Sequence, residues 1–331
     1  MDLNQIFLTI AGILPAAVLC IYVFKKDRAE KEPAGLLLLL LGLGVAICFP
    51  AALTEQLLSK ILNSVFLPFC TEIDGTMVLE NPVLFRIYTA LEYFLNVALV
   101  EEGFKFLVLV LATRKNKNFN SLFDGLIYSV FVSLGFAGFE NILYVTQYGW
   151  INALMRAVMS VPAHMFFSVF MGYYYSMWHM KIKARKLELN LKHFGVIPPD
   201  APEYSHKKDV AMCLVVSILA HGLYDYCCSV DSVLAEVIFY GFLIFMYFFC
   251  FRRIKKMSGM DMDDNRLASA MVAMKHPGYL TLLRERNRQQ LEESARQQAL
   301  RYSQQTQYAD DPRYTTPPAP QMQEEAAEIT E

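Results

Sequence analysis

The sequence predicts an all-α protein that crosses a membrane about seven times, and three observations support this fold class. The chain has 331 residues, 55% of them hydrophobic, and its mean hydropathy is positive. Its apolar residues gather into segments that match the length of a spanning helix, about 17–25 residues. Its lysines and arginines gather between these segments. Such a composition is typical of polytopic membrane proteins and not of soluble globules.

Seven apolar segments are long enough to span a bilayer, and the longer ones are expected to tilt or to overhang it. The segments are Ile6–Phe24, Ala34–Leu53, Val83–Ala112, Leu122–Tyr148, Asn152–Trp178, Val210–Ser229 and Val233–Phe251. Basic clusters follow the first, third, fifth and seventh segments, whereas the other connections carry few basic residues. The positive-inside rule therefore predicts an extracytoplasmic N-terminus and a cytoplasmic C-terminus.

Three parts of the chain differ in composition. Residues 1–33 are predicted to form the first transmembrane helix and a basic cytoplasmic loop, and residues 34–251 the membrane-embedded core. Residues 252–331 are predicted to form a cytoplasmic tail. Its segment Asp261–Gln304 has the composition of amphipathic helices with a break at His276-Pro277-Gly278, whereas Tyr308–Glu331 is predicted to be disordered. The tail suggests no chemistry, so the sequence leaves two alternatives for it: contact with a cytoplasmic protein, or no role. The net charge of −2 gives no reason to expect a nucleic-acid partner.

Two adjacent glutamates lie near the middle of the third apolar segment. Glu101 and Glu102 are followed one turn later by Lys105. A charged side chain at membrane depth costs roughly 2.5 to more than 10 kcal/mol, so such groups mark functional sites by default. Four more polar residues lie deep in later segments: Glu140, His164, His221 and Asp225. Interfacial or structural roles are expected for four charged residues near segment ends: Glu92, Asp124, Arg156 and Glu236.

The helix rise brings these deep residues to a similar level. At 1.5 Å per residue, Glu101 and His221 each lie about 20 Å from the cytoplasmic ends of their helices. Glu140 lies about 10 Å, and His164 about 18 Å, below the extracytoplasmic ends of theirs. In a hydrocarbon core of about 30 Å, four helices therefore present acid or imidazole groups at comparable depth. Pro162, two residues before His164, is expected to loosen the local helix.

Three pairs of polar residues are four positions apart and so share a helical face. The pairs are Glu101 and Lys105, Glu140 and Tyr144, and His221 and Asp225. Lys105 can neutralise one glutamate and leave the other available as a base. Tyr144 can donate a hydrogen bond to Glu140, and Asp225 can orient His221 or act as a further ligand.

Two histidines together with carboxylates suit a hydrolytic zinc centre. The metal in such a centre activates water and polarises a carbonyl, while a spare glutamate acts as general base. The alternative is a set of interhelical hydrogen bonds without a metal, which is common for a single intramembrane histidine. Because the residues come from four helices, we favour the metal centre.

Short motifs around these residues carry a family resemblance. The motifs are EExxK at Glu101–Lys105, FExxxY at Phe139–Tyr144, Pro-x-His at His164, and HxxxD at His221–Asp225, accompanied by Asp124-Gly125, Gly135–Phe139 and Gly172–Tyr174. Together they resemble the PrsW family of intramembrane proteases. That family belongs to the larger group that contains the type II CAAX prenyl endopeptidases and the Abi proteins. The resemblance covers about Ala34 to Phe251 and leaves out the tail.

The resemblance implies metal-dependent proteolysis of membrane-anchored proteins in the bacterial cytoplasmic (inner) membrane. The namesake activity of the family is the first, extracytoplasmic cut of an anti-sigma factor in stress signalling. Carried over by position, the resemblance implies that Glu101 is the base that activates water, that Glu102 assists it, and that Lys105 pairs with Glu102. Tyr144 is the fourth predicted catalytic residue. The implied ligands of a divalent metal, Zn²⁺ above all, are Glu140, His164, His221 and Asp225.

The residues alone leave two other functions open. Intramembrane Glu, Lys and His also mark the proton relays of transporters, so a proton-coupled transporter is one alternative. Inverted repeats would favour a transporter, and the two halves of this sequence show no convincing repeat. The other alternative is a non-catalytic membrane sensor or scaffold that keeps the protease fold and acts through its tail.

Overall fold

The computed structural model describes residues 3–27, 30–260 and 262–309, which are almost entirely helical. The α-helices in these ranges are α1 (Leu3–Lys26), α2 (Ala34–Phe66), α3 (Pro82–Leu91), α4 (Leu99–Thr113), α5 (Asp124–Val158), α6 (Ser160–His193), α7 (Lys207–Ser229), α8 (Val233–Gly259), α9 (Asp264–Lys275) and α10 (Pro277–Ala309). A 3₁₀ turn (Leu67–Phe69) and an antiparallel hairpin of β1 (Thr71–Ile73) and β2 (Thr76–Val78) follow α2. A π-helical segment (Glu92–Ala98) joins α3 to α4.

Five helical stretches within the described ranges are long and apolar enough to cross a membrane. They are Leu3–Lys26, Ala34–Phe69, Asp124–His193, Lys207–Ser229 and Val233–Gly259, the third of which contains both α5 and α6. The prediction of an all-α polytopic membrane protein is therefore confirmed. The predicted third span corresponds to α3, the π-helical segment and α4, which have 10, 7 and 15 residues. The count of seven spans and the orientation of the chain stay predictions.

Gly149 separates the predicted fourth and fifth spans. Its φ of 78° and ψ of −164° interrupt α5, and glycine adopts this region readily because it has no Cβ. Beyond Gly149 the chain runs back along itself. The Ser133 hydroxyl donates to the His164 carbonyl at 2.9 Å, and the Glu140 carboxylate lies 3.1 Å from the His164 ring. This antiparallel packing places Glu140 of α5 opposite His164 of α6.

The first half of α5 is the centre of the fold. Every residue from Asp124 to Gly138 is buried, and α1, α2 and α6 pack around this helix. The backbones of α2 and α5 approach each other closely because each helix has a glycine at the contact. A Cβ at Gly44 would lie 2.1 Å from the Val132 carbonyl oxygen, and a Cβ at Gly135 would lie 2.1 Å from the Leu41 carbonyl oxygen. Small residues of this kind let helix backbones approach each other within a membrane.

Two local predictions are wrong. The second helix continues to Phe66 and does not end near Leu53, because the polar residues that follow Leu53 face the π-helical segment and keep the helix packed. Pro162 lies in the first turn of α6, which begins at Ser160. The missing N–H of a proline costs little in a first turn, so Pro162 does not loosen a helix interior.

The start of the tail packs against the C-terminal extension of α6. Buried Glu188 of that extension accepts a hydrogen bond from Lys275 at 2.8 Å and lies 3.0 Å from His276 Nε2. A break at His276 separates α9 from α10, at the position predicted from the sequence. The last helix, α10, reaches Ala309 and so includes the first two residues of the segment predicted to be disordered. The rest of that prediction, residues 310–331, lies outside the described residues.

Candidate active site

The two adjacent glutamates of α4 share one lysine. Lys105 Nζ lies 3.0 Å from Glu101 Oε2 and 2.8 Å from Glu102 Oε1, and all three side chains are buried. These residues come just after the π-helical segment, which ends at Ala98. Turns of π-helix frequently occur at functional sites. Two buried carboxylates beside a single ammonium group leave negative charge that needs a further partner.

Two histidines from other helices complete the cluster. His164 lies near the start of α6, and His221 lies in α7. His164 Nδ1 is 3.3 Å from Lys105 Nζ, and His221 Nδ1 is 3.1 Å from Glu102 Oε1. One donor atom from each of Glu101, Glu102, His164 and His221 lies within 4.8 Å of the other three, and all four residues are buried. The structure therefore brings the deep residues of α4, α6 and α7 together.

Two further carboxylates contact the Nε2 atoms of these histidines. Glu140 Oε2 lies 3.1 Å from His164 Nε2, and Asp225 Oδ2 lies 3.1 Å from His221 Nε2. A carboxylate in this position fixes the tautomer and the orientation of a metal-binding histidine. The group of four donors described above includes Glu101 and Glu102 of α4, and it does not include Glu140 or Asp225. That Glu140 and Asp225 are themselves ligands stays a prediction.

Arg156 is expected from the sequence to be interfacial, whereas the structure places it against the cluster. Its Nη2 donates to Glu140 Oε2 at 3.0 Å, and its Nε donates to Asn141 Oδ1 at 2.9 Å. Asn141 in turn donates to the Gly12 carbonyl of α1 at 2.8 Å. Glu140 is thus held from two sides, by Arg156 and by the His164 ring. Gly149, which lies between the predicted fourth and fifth spans, is the feature of the sequence that could have suggested this contact, because a glycine allows the chain to turn back there.

Tyr144 contributes its ring to the same arrangement. The guanidinium of Arg156 lies 4.0 Å from the centre of the Tyr144 ring, which is a cation–π contact. The sequence predicts a hydrogen bond from the Tyr144 hydroxyl to Glu140. Among the described residues that bond is not formed, and the tyrosine reaches Glu140 only through Arg156. The predicted catalytic role of Tyr144 stays a prediction.

Arg156→Gln is expected to lower the catalytic activity of the cluster by about tenfold, because Arg156 fixes Glu140, which in turn orients the His164 ring. Tyr144→Leu should cause a smaller loss, and Tyr144→Phe should keep most of the activity because it retains the ring. The matched control is Arg253→Gln, since Arg253 also stacks on a tyrosine, 4.3 Å from the Tyr173 ring centre, but does not contact the cluster. Turnover of a reporter substrate measures all four. Equal losses in the Arg156 and Arg253 variants would contradict the assignment.

A cleft of about 780 Å³ opens beside the cluster. Residues of α6, of α7 and of the connection between α7 and α8 form much of its wall. One donor from each helix of the cluster lies in this wall: Glu101, His164 and His221. Glu102 and Lys105 are more deeply buried, behind it. Glu101 is therefore the glutamate of the pair that a substrate in the cleft can reach.

Comparison with known proteins identifies the family. The model of the PrsW family intramembrane metalloproteases matches residues 32–251, which include the cluster and its cleft. This chain belongs to the PrsW family. Membership shows that the chain is a multi-pass membrane protease, which favours the protease interpretation over the transporter.

Several proteins named Protease PrsW are similar to this PrsW family member. The protein of Bacillus subtilis (strain 168) is 29% identical over 254 residues, which cover 76% of this chain and 96% of that protein. The protein of Geobacillus kaustophilus (strain HTA426) is 33% identical over 179 residues, or 54% of this chain and 70% of that protein. The protein of Clostridioides difficile (strain 630) is 29% identical over 246 residues, with coverage of 72% and 87%. No solved structure gives a significant match.

Proposed function

We propose that this PrsW family protease holds a divalent metal, with Zn²⁺ as the best fit, and hydrolyses peptide bonds of membrane-anchored proteins. The observation that carries the proposal is the convergence of two carboxylates and two imidazoles from three helices, all buried, beside one cleft. Imidazole and carboxylate groups are the ligands of catalytic zinc centres. The residues that would hold the metal are Glu102, His164 and His221, with Glu101 beside them in the same group.

The charge and hydrogen bonding of the cluster fit such a metal. Lys105 supplies one positive charge for the two glutamates of α4. Glu102 Oε2 is buried and has no hydrogen-bond partner among the described residues. A buried carboxylate oxygen without a partner is costly, and a bound cation removes that cost. The contacts of Glu140 and Asp225 leave the histidines in fixed orientations, as a metal site requires.

The positions of the side chains indicate a division of labour. A bound metal polarises the substrate carbonyl and makes a water molecule more acidic. Glu101, in the cleft wall, accepts a proton from that water as general base and returns it to the departing amine. Glu102 lies deeper and serves as a carboxylate ligand. Lys105 lies between the two carboxylates and offsets their mutual repulsion.

The location of the cleft supports a cut near one membrane surface. Its wall includes the connection between α7 and α8, which the predicted topology places on the extracytoplasmic side. We therefore propose that the substrate is anchored in the same bilayer and is cut near that side. An anti-sigma factor, cut in the first step of regulated intramembrane proteolysis, is a substrate of this kind. The similar proteins named above come from bacteria, which supports the bacterial cytoplasmic membrane as the location.

Metal analysis of the purified protein tests the proposal. We expect about one zinc ion per chain, loss of peptide cleavage on chelation, and recovery when Zn²⁺ is added back. His221→Ala should lose both the metal and the activity. The matched control is His179→Ala, because His179 stacks on Phe119 at 3.9 Å and lies outside the cluster. Cleavage that persists under chelation, or equal metal content in the two variants, would rule the proposal out.

A further inference from the structure

A row of polar contacts connects α2 with α3 and the π-helical segment, and we call it the polar seam. Its members are Glu55, Ser59 and Asn63 of α2, Tyr88 of α3, and Glu92 and Asn96 of the π-helical segment. Tyr88 donates to Asn63 at 2.8 Å, and Ser59 donates to Glu92 at 2.5 Å. Asn96 donates to Ser59 at 2.8 Å and to the Glu55 carbonyl at 3.1 Å. Each turn of one helix thus contacts the other through polar groups.

The seam is continuous along both helices. Its residues on α2 are four positions apart, and so are its residues on the opposite side, so each set lies on one helical face. The nine residues from Glu55 to Asn63 extend over about 12 Å of helix. Ionisable residues such as Glu55 and Glu92 between apolar helices usually face a water-filled cavity or a partner. This row leads from the ends of α2 and α3 near the β-hairpin toward α4.

A second cleft, of about 490 Å³, lies along the seam. Ser59, Asn63 and Glu92 line it, together with Glu55 and Val97. The last two residues also line the main cleft beside Glu101. Glu55 and Val97 therefore belong to the walls of both clefts, and the polar seam leads to the wall of the main cleft.

Two atoms of the seam have no hydrogen-bond partner among the described residues. They are Glu92 Oε2 and Asn96 Oδ1, and both are buried. Asn96 is only 3% exposed. Buried polar atoms are rarely left unpaired, and ordered water satisfies those that protein atoms do not reach. The seam has the room and the polar groups that water molecules need.

We propose that the polar seam is the path by which water reaches the catalytic site from the surface near the β-hairpin. This proposal rests on the proposed hydrolytic function. Each peptide bond cleaved consumes one water, whose oxygen bonds to the carbonyl carbon while a proton goes to the departing amine. A substrate segment that fills the main cleft blocks entry from that side. The seam supplies water behind the substrate, through Glu55, to the face where Glu101 lies.

The rate at which a thiol reagent labels a cysteine added at one position tests whether water reaches that position. This measurement does not depend on enzymatic activity. The probe is a charged, membrane-impermeant methanethiosulfonate reagent, applied to membranes that contain the full-length protein, and labelled peptides are measured by mass spectrometry. The matched pair is Ser59→Cys in the seam and Leu57→Cys, which is 60% exposed but lies on an apolar face of the same helix. We expect Ser59→Cys to react at least about tenfold faster, because the reactive thiolate forms in water and not in lipid.

Turnover measurements test whether this water is used. After labelling, Ser59→Cys should cleave a reporter more slowly than labelled wild-type protein, whose native Cys228 lines the main cleft, with a lower kcat and an unchanged KM. Ser59→Leu should show the same pattern. Thr54→Leu is the control, because Thr54 donates to the Pro50 carbonyl of its own helix, at 2.7 Å, and lies outside the seam.

Two results would overturn the water path. One is slow labelling of Ser59→Cys, at the rate of Leu57→Cys. The other is fast labelling with no change in kcat after modification. Both leave the proposed function standing, since metal binding and the loss of activity in a Glu101 variant are measured separately. Absence of any proteolysis in the wild-type protein would instead count against the proposed function.

Discussion

Replacing Glu101 by glutamine is expected to slow peptide-bond hydrolysis by about 10²–10⁴-fold, the range that a general base contributes. The amide has nearly the size of the carboxylate, so it fits the same place in the cleft wall beside Lys105. It cannot accept a proton from water, and for that reason the rate falls while the fold is kept. The measurement is turnover of a membrane-anchored reporter by purified protein, with thermal unfolding as the check on the fold.

The matched control for Glu101→Gln is Glu236→Gln. Glu236 lines the same cleft but is exposed and lies outside the four-donor group. We expect Glu236→Gln to keep a rate close to wild type, and an equal loss in both variants would contradict the role of Glu101.

In cells, the proteins released from membranes should differ between wild type and Glu101→Gln. Full cellular function of the glutamine variant would support the sensor or scaffold interpretation.

The second large effect is expected from Gly135→Leu, which should prevent correct packing of α2 against α5. Even a single Cβ at this position would lie 2.1 Å from the Leu41 carbonyl oxygen, and backbone cannot yield as a flexible side chain does. Overpacking of a well-packed core typically costs about 1–3 kcal/mol, and a clash with backbone lies at or above the upper end of that range. Because α5 carries Glu140, misplacement of α5 should also remove activity. Yield of folded protein in detergent and its unfolding temperature measure the effect.

Gly42→Leu, on α2, is the matched control. A Cβ at Gly42 meets no atom within 4 Å, so the larger side chain should extend into lipid without disturbing α5. The variant should therefore unfold at nearly the wild-type temperature and keep its activity. If both variants proved equally stable, the close contact between α2 and α5 would be wrong.

Much of the architecture could be predicted because the bilayer imposes simple constraints. A spanning helix must be apolar over a defined length, so composition alone located most of the helices. The cost of buried charge made Glu101, Glu102 and Lys105 conspicuous in an apolar segment. The same argument applied to His164 and His221, and the structure brings all five of these residues together.

Contacts between residues far apart in sequence could not be predicted in the same way. The spacing of four residues predicted that Asp225 can orient His221, whereas only the distances show that Glu140 of α5 meets Nε2 of His164 of α6. The sequence predicted an interfacial role for Arg156 because this residue lies near the start of the predicted fifth span. The left-handed backbone at Gly149 folds it back onto α5, where it reaches Glu140.

The sequence by itself determined that this protein is a helical membrane protein, and it predicted a site of acidic, basic and imidazole side chains at membrane depth. Both conclusions follow from the free-energy cost of exposing charge to lipid. Only the tertiary structure decided which glutamate of the pair faces the cleft, and that α2 and the π-helical segment are joined by a polar seam. The reason is geometric. Solvation energy depends on residue type and depth, whereas the partners of a side chain depend on how the helices turn and cross.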